Sequence, residues 1–402
     1  MDGLHVTGPQ ASPHWRISAS RTVSYEVRLS TDLLDPSDDT LADAGADPVA
    51  PSRRRLLVVD ARVNTLFGDR IRDYMDAQAM TYEICVLDAD ERGKTMDAVF
   101  QVVAAMDAFG VSRRREPVLA IGGGVLSDIV GLATSLYRRT TPYVRVPTTL
   151  IGMVDAGIGA KTGVNFHQHK NRLGTYHPSA VTLIDATFLR TLPVRHLRNG
   201  LAEVLKIALV KDAPLFDVLE RHGTRLIAER MQTHDSADRG AATLAVMRHA
   251  IHDMLGELQP NLWEHRLDRI ADFGHTFSPA IEMHALPDLL HGEAVAVDMA
   301  LSTELAHHRG LLSAADRDRI HRVITDLGLP TWHPVCSPGL LAEGLADTIR
   351  HRDGRQRVPL TVGIGRARFV DDLTLAEIDE ALATCQPPGG APAGRLARMV
   401  GA

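Results

Sequence analysis

The chain has 402 residues, 45% of them hydrophobic and 23% charged, with a formal net charge of −6 and a pI near 6.3. That length exceeds one typical core and predicts two domains. The acidic balance argues against a nucleic-acid partner, whose footprint is a basic surface. Cys85, Cys336 and Cys385 are too few and scattered for a disulfide framework and suit a reducing cytoplasm. No apolar run has the length of a membrane span, and residues 1–20 lack the apolar core of a signal peptide.

In chain order, residues 1–20 read as a flexible arm. Val23, Tyr25, Val27 and Leu29 alternate with polar residues, the pattern of a half-buried strand. Residues 32–52 are acidic and rich in Ala, Pro and Asp, and read as a partly disordered surface loop. A buried strand over 56–59 ends at Asp60, followed by a helix over 65–77, a strand over 81–87 and a helix over 96–109. The run Pro117-Val-Leu-Ala-Ile-Gly-Gly-Gly-Val-Leu-Ser-Asp128 reads as a strand, a triple-glycine turn and the start of a helix reaching 137. Such a turn admits a ligand close to the backbone, and the helix start offers unpaired N–H groups to a phosphate. It also serves, in other chains, as a plain tight turn. Strands alternating with helices predict a parallel sheet.

A strand over 143–146 ends in Pro147-Thr-Thr149. Residues 150–175 read as a long polar loop, which in a compact domain lines a site. A strand over 181–184 follows, and from about 187 helix follows helix, with no convincing strand before 358–363. The expected architecture is an α/β domain over 21–186, an all-α domain over 187–385 and a disordered tail over 386–402.

Three groups of residues suggest chemistry. Glu203 and Lys206 share one face of the helix Gly200-Leu-Ala-Glu-Val-Leu-Lys-Ile-Ala-Leu209. Such pairs are commonly surface ion pairs, but here Leu201, Val204, Leu205 and Ile207 surround them. His275 and His291 each open a helix, and either alone reads as an ordinary packed or exposed histidine. With Glu203 they supply two neutral nitrogens and an anionic oxygen, a set suited to catalytic Zn²⁺ and acceptable to Co²⁺. His284, His307 and His308 read as surface residues. Finally, Arg138, Arg139, Lys161, Lys170, Arg172 and Lys206 gather at glycine-containing turns or on the apolar helix. In an acidic protein that clustering points to bound anions, specifically two different phosphates.

Taken together, Gly122-Gly-Gly-Val-Leu-Ser-Asp128, Val146-Pro-Thr-Thr149, Lys161-Thr-Gly-Val-Asn165, Lys170-Asn171, Gly200-Leu-Ala-Glu-Val-Leu-Lys206, Gly274-His-Thr-Phe277 and His291-Gly-Glu-Ala294 resemble the sugar phosphate cyclases, the 3-dehydroquinate synthase superfamily. The resemblance runs from about 56 to 365. It implies an NAD-binding α/β domain, a helical metal domain, an active site between them and a homodimer. By position it assigns Asp60, Glu91, Lys94, Gly123, Gly124, Val125, Asp128, Thr148, Thr149, Asp155, Lys161, Lys170, Phe188 and Thr191 to NAD⁺. Glu203, His275 and His291 match the metal ligands. Arg139, Asn171 and Lys206 match residues that hold substrate phosphate and hydroxyls, with Lys161 and Glu264 grouped among the catalytic residues.

The departures from 3-dehydroquinate synthases bear on substrate. Positions carrying a lysine and an arginine there, which bind a substrate carboxylate, are Met254 and Asp268 here; Asp272 and Pro279 replace an asparagine and a histidine. An acid in place of a cation repels a carboxylate and accepts hydroxyls. With Asp155, these residues are the substrate-binding candidates. The set, together with Asn261-Leu-Trp-Glu264, resembles the 2-epi-5-epi-valiolone synthase branch, which cyclises sedoheptulose 7-phosphate for C7-cyclitol natural products, including aminocyclitol antibiotics. The implied reaction is transient oxidation by NAD⁺, β-elimination of phosphate, re-reduction and intramolecular aldol closure, a carbon–oxygen lyase overall. Sister cyclases giving 2-epi-valiolone, 2-deoxy-scyllo-inosose or 3-dehydroquinate are the near alternatives. A metal-dependent polyol dehydrogenase and a non-catalytic NAD-binding sensor are the remote ones.

Overall fold

The computed structural model describes residues 3–7, 14–167, 169–232 and 237–387. Six parallel strands form the central sheet in the order β3-β10-β7-β6-β4-β5. They are β3 (Glu26–Ser30), β4 (Arg54–Asp60), β5 (Thr81–Leu87), β6 (Val118–Gly122), β7 (Tyr143–Pro147) and β10 (Val181–Asp185). The apolar run of β4 works because both faces of the sheet are covered. Leu57 and Val59 join the core shared with the helical half of the chain, and Leu56 and Val58 join a second core beneath α3 (Met96–Phe109) and α4 (Gly124–Leu136). The helix α2 (Ala61–Ala77) begins directly after β4, four residues earlier than its apolar spacing suggests. Its start is set by a cap, since Asp60 Oδ1 accepts the backbone N–H groups of Arg62 and Val63.

Three stretches up to β10 differ from the sequence reading. Where a loose arm was expected, β1 (Gly3–Thr7) pairs antiparallel with β2 (His14–Ser18). The acidic stretch before β4 holds the one-turn helix α1 (Thr40–Asp43) and is anchored by its few apolar residues: Leu33, Leu34, Leu41 and Ala42 are buried. Asp185 Oδ2 accepts from Leu33 N at 2.8 Å, and the buried Arg55 donates to Ala42 O at 3.0 Å. Residues 150–175 are not an irregular loop. They hold a π-helical turn at Gly152–Ala156 and a twisted hairpin of β8 (Lys161–Phe166) and β9 (His169–Tyr176). Polar side chains on β9 hid the strand, because its outer face meets water and a cavity rather than core. Nearly all of the expected disordered tail, from 388 onward, lies outside the described residues.

After β10 the chain is helical: α5 (Val194–Lys211), α6 (Ala213–Ala228), α7 (Ala237–Leu258), α8 (Ser278–Ala285), α9 (His291–His308), α10 (Ala314–Asp326), α11 (Pro338–His351) and α12 (Leu375–Cys385). It is not all-α, because β11 (Val358–Thr361) and β12 (Ala367–Val370) form a small antiparallel pair. Helices α5 and α9 are buried along most of their length and cross at Gly292. A Cβ there would lie 2.1 Å from Asn199 O, so only glycine permits the approach.

The buried Arg145 of β7 ties the sheet to the hairpin. Its guanidinium donates to Gly157 O at 3.2 Å, Gly159 O at 2.6 Å and Lys161 O at 3.3 Å. Arg145→Met keeps the volume but strands those carbonyls, so stability should fall by about 3 kcal/mol. Urea unfolding would report this as a lower midpoint at unchanged slope.

Candidate active site

Helix α5 carries Glu203 and Lys206 as its apolar sequence would place any side chain, inward; their side chains are 1% and 3% exposed. They lie 2.6 Å apart, yet off the hydrogen-bonding direction, so both Glu203 oxygens are buried without a hydrogen-bond partner. Facing them are His291 Nε2, 3.3 Å from Glu203 Oε1, and His275 Nε2, 3.9 Å from the same oxygen. The outer nitrogens of both rings are already committed. His275 Nδ1 donates to Phe273 O at 3.1 Å, and His291 Nδ1 to Glu282 Oε2 at 2.9 Å. That fixes the tautomers and leaves two Nε2 lone pairs and a bare carboxylate converging on one point. Ligand atoms of the three residues lie within 4.8 Å of one another. Orphaned anionic oxygens with two pinned imidazoles fit a divalent metal with an open coordination position.

The electrostatics treat the two rings differently. Burial opposes the charged form of His291, but Glu282 and then Glu203 outweigh it and push the ring up to about 9, so a metal at Nε2 takes the place of a proton there. Burial, followed by the Lys206 charge, pushes His275 down to about 4, so it is a neutral ligand at pH 7. Burial opposes the charged form of Glu203, but Lys206 and the two histidines outweigh it and hold the carboxylate ionised. Lys206 stays cationic against its own desolvation because Glu203 and then Asp155, 4.0 Å away, face it. Asp155, from the π-helical turn, is shifted upward by burial despite Lys206, which makes it a proton acceptor of raised basicity beside a fixed cation.

Two cavities meet at this centre and share a wall of Asp128, Asp155, Ala156, Asn171 and His291. The first, of about 580 Å³, runs along the carboxyl ends of the strands. Asp60, Glu91, Lys94, Gly123, Gly124, Val125, Asp128, Thr148, Thr149, Asp155, Lys170, Phe188 and Thr191, which the resemblance assigned to NAD⁺, line it, whereas Lys161, assigned with them, lines only the second cavity. The N-terminus of α4 opens into it with no side-chain cap. A Cβ on Gly123 or Gly124 would stand 3.2 Å from Thr149 or Ala156 and fill the approach to those N–H groups. This is a fitting cradle for a dinucleotide pyrophosphate. Deeper in, Lys94 donates to Asp128 and to Asn171 Oδ1, each at 2.6 Å, which turns the Asn171 amide N–H₂ outward as a donor.

The second cavity, of about 670 Å³, lies on the other side of the metal cluster. Lys161, Arg172, Lys206, Met254, Glu264, Arg269, Asp272 and His275 line it. Glu264 is clasped by Lys161 and Arg269, and Arg269 and Arg352 both pair with Asp272. Burial works against the Asp272 charge, but the two arginines keep its pKa below the usual carboxylate range.

The comparisons with known proteins follow this geometry. The 3-dehydroquinate synthase N-terminal model matches residues 84–199, and the 3-dehydroquinate synthase C-terminal model matches 200–351. The chain belongs to the 3-dehydroquinate synthase family. Within it, the chain is 61% identical to 2-epi-5-epi-valiolone synthase of Streptomyces hygroscopicus subsp. jinggangensis over 92% of this chain and 89% of that protein. It is 56% identical to the synthase of the same name from an Actinoplanes species, over 95% of this chain and 96% of the relative. The solved structure of the Streptomyces enzyme, with NAD⁺ and Zn²⁺ bound, superposes with a TM-score of 0.87 at 60% identity, over 92% of this chain and 99% of that one.

Three residues that the family resemblance assigned to substrate are not brought here. Arg139 lies exposed in a turn where Arg138, Arg139 and Thr140 all have positive φ, and it lines neither cavity. Asp268 is exposed and paired with Arg357, facing a separate cavity with Arg355 and Gln356. Pro279 is exposed in the first turn of α8, where a proline is well placed because the N–H it lacks would have no partner. Conversely, Glu282, Arg269 and Arg352 escaped the sequence reading. Glu282 sits one turn beyond the His275 motif, but its role depends on partners far away in sequence.

His275→Ala and Glu203→Ala should each abolish stoichiometric zinc in protein dialysed against micromolar metal. Elemental analysis checks this, with circular dichroism expected to show an unchanged fold.

Proposed function

We propose that this protein is a 2-epi-5-epi-valiolone synthase, cyclising sedoheptulose 7-phosphate with release of phosphate. The observation that carries the reading is a Glu–His–His centre, built on the buried Glu203, joining a dinucleotide cavity to a cavity whose wall offers Met254 and Asp272 to the substrate. Nothing at Met254 attracts a carboxylate, and Asp272, held ionised by Arg269 and Arg352, occupies those cations and offers acceptor oxygens to hydroxyl groups. The name borne by relatives at 54–61% identity across nearly the whole chain supports the same choice.

Bound NAD⁺ would supply reversible hydride acceptance, and a divalent ion on Glu203, His275 and His291 would polarise a substrate oxygen. The protein's own side chains do the rest. Lys206, fixed between Glu203 and Asp155, presents a permanent positive charge at the base of the cavity and steadies an oxygen that gains negative charge. Asp155 is placed to accept a hydroxyl proton. Asn171 donates its amide to a substrate oxygen, and Lys161, at the mouth beside Glu264, meets the phosphate. Because the transient ketone through which phosphate is expelled is afterwards reduced again, the cofactor is unchanged overall, which makes the enzyme a lyase rather than a dehydrogenase. The reading includes a homodimer, as the family resemblance implies.

Incubation with sedoheptulose 7-phosphate, NAD⁺ and Zn²⁺ or Co²⁺ should release inorganic phosphate with no accumulation of NADH, and NMR should identify the valiolone product. Net NADH would indicate a polyol dehydrogenase, and turnover of the 3-dehydroquinate precursor instead would refute the substrate. Met254→Lys should lower kcat/KM for sedoheptulose 7-phosphate by roughly tenfold or more, because it buries an unpaired ammonium in the cavity wall.

A further inference from the structure

We infer that Lys170 and Glu282 form a positioning pair that couples the dinucleotide cavity to the metal centre, so that filling one site tightens the other. The inference rests on the reading that this protein binds NAD⁺ and a divalent metal. Lys170 belongs to β9 in the α/β half, and Glu282 to α8 in the helical half. Lys170 Nζ lies 2.5 Å from Glu282 Oε1, and the Glu282 side chain is 5% exposed. The other oxygen of the same carboxylate, Oε2, holds Nδ1 of the ligand His291 at 2.9 Å. On its far side Lys170 Nζ is 3.7 Å from Glu91 Oε1. Glu91, Lys170, Glu282 and His291 all line the dinucleotide cavity. One buried carboxylate thus divides its oxygens between an ammonium in the cofactor wall and an imidazole that holds metal.

The division has a sign. An oxygen of the dinucleotide that takes a hydrogen bond from Lys170 draws the ammonium away from Glu282. The carboxylate then bears more negative charge toward His291 Nδ1–H, and the ring becomes a stronger base at Nε2, where metal binds. In the other direction, a cation at Nε2 makes Nδ1–H a stronger donor, engages Glu282 more fully and frees Lys170 for the cofactor. Both halves favour joint occupancy, as linkage requires.

The test is Zn²⁺ affinity of the full-length protein, measured by competition with a chromogenic chelator, with and without NAD⁺ held at saturation as verified by equilibrium dialysis. In the wild type NAD⁺ should tighten Zn²⁺ by roughly fivefold or more, and Zn²⁺ should tighten NAD⁺ by the same factor. Lys170→Met and Glu282→Gln should each shrink that change to less than about twofold, whereas Lys170→Arg, which keeps a cation on Glu282, should retain part of it. A merely structural role would lower thermal stability in the variants while leaving the NAD⁺-induced change intact, and that result would overturn the coupling. So would a wild type that binds both ligands without mutual effect. A wild type that binds neither would overturn the functional reading itself, and the coupling with it.

Discussion

A carboxylate buried in an apolar helix is the constraint on which the rest of the structure turns. Glu203 has been taken out of water along with Lys206, a step that costs several kcal/mol per ion unless geometry compensates. The Lys206 charge covers part of that cost, but it leaves both carboxylate oxygens without hydrogen bonds. The remaining compensation has to come from the imidazoles of His275 and His291 and from a cation that all three can hold. A centre of this kind is expensive to fold without its metal and favourable to fold around it.

Much of the helical domain serves to deliver those two histidines. Asn199 of α5 accepts the Gly292 N–H at 2.5 Å, which pins the start of α9 and hence His291 against α5. Asp298, about two turns further along α9, accepts the N–H groups of Phe277 at 2.5 Å and Ser278 at 2.8 Å. That bond seats the first turn of α8 just after His275. The α/β half contributes the opposite wall. Arg145 holds the carbonyls of Gly157, Gly159 and Lys161, between the π-helical turn and the hairpin, so that Asp155 meets Lys206 and the β8–β9 hairpin projects Lys161, Lys170 and Asn171 toward the helices. The site therefore belongs to neither half alone. Its polar groups form a chain from Glu91 through Lys170 and Glu282 to His291 and Glu203, and each helps offset the cost of burying the next.

How much of this could be read from the chain depends on the range of the interaction. The strand, glycine turn and helix at 118–136 were legible because apolar runs, flexible glycines and a free helix start are local properties. The candidate ligands Glu203, His275 and His291, which the structure brings together, were legible through their motifs and the chemistry of the donor set. The hairpin at 161–176 was not, since a strand that faces a cavity lacks the apolar alternation by which strands are recognised. The acidic stretch at 32–52 misled in the opposite sense, because a handful of leucines suffice to anchor a mostly polar segment.

The sequence by itself determined the parallel α/β half, the phosphate-suited glycine turn and the identity of Glu203, His275 and His291. It did so because each rests on backbone freedom, periodicity or donor type within a few residues. Only the tertiary structure decided that Asp272 and Met254 line the second cavity while Asp268 pairs with Arg357 and Pro279 starts a helix. It also decided that Glu282, rather than any residue singled out beforehand, joins the cofactor wall to the metal ligand. Those outcomes depend on which side chains from distant segments neutralise a buried charge, and that pairing is set by packing in three dimensions.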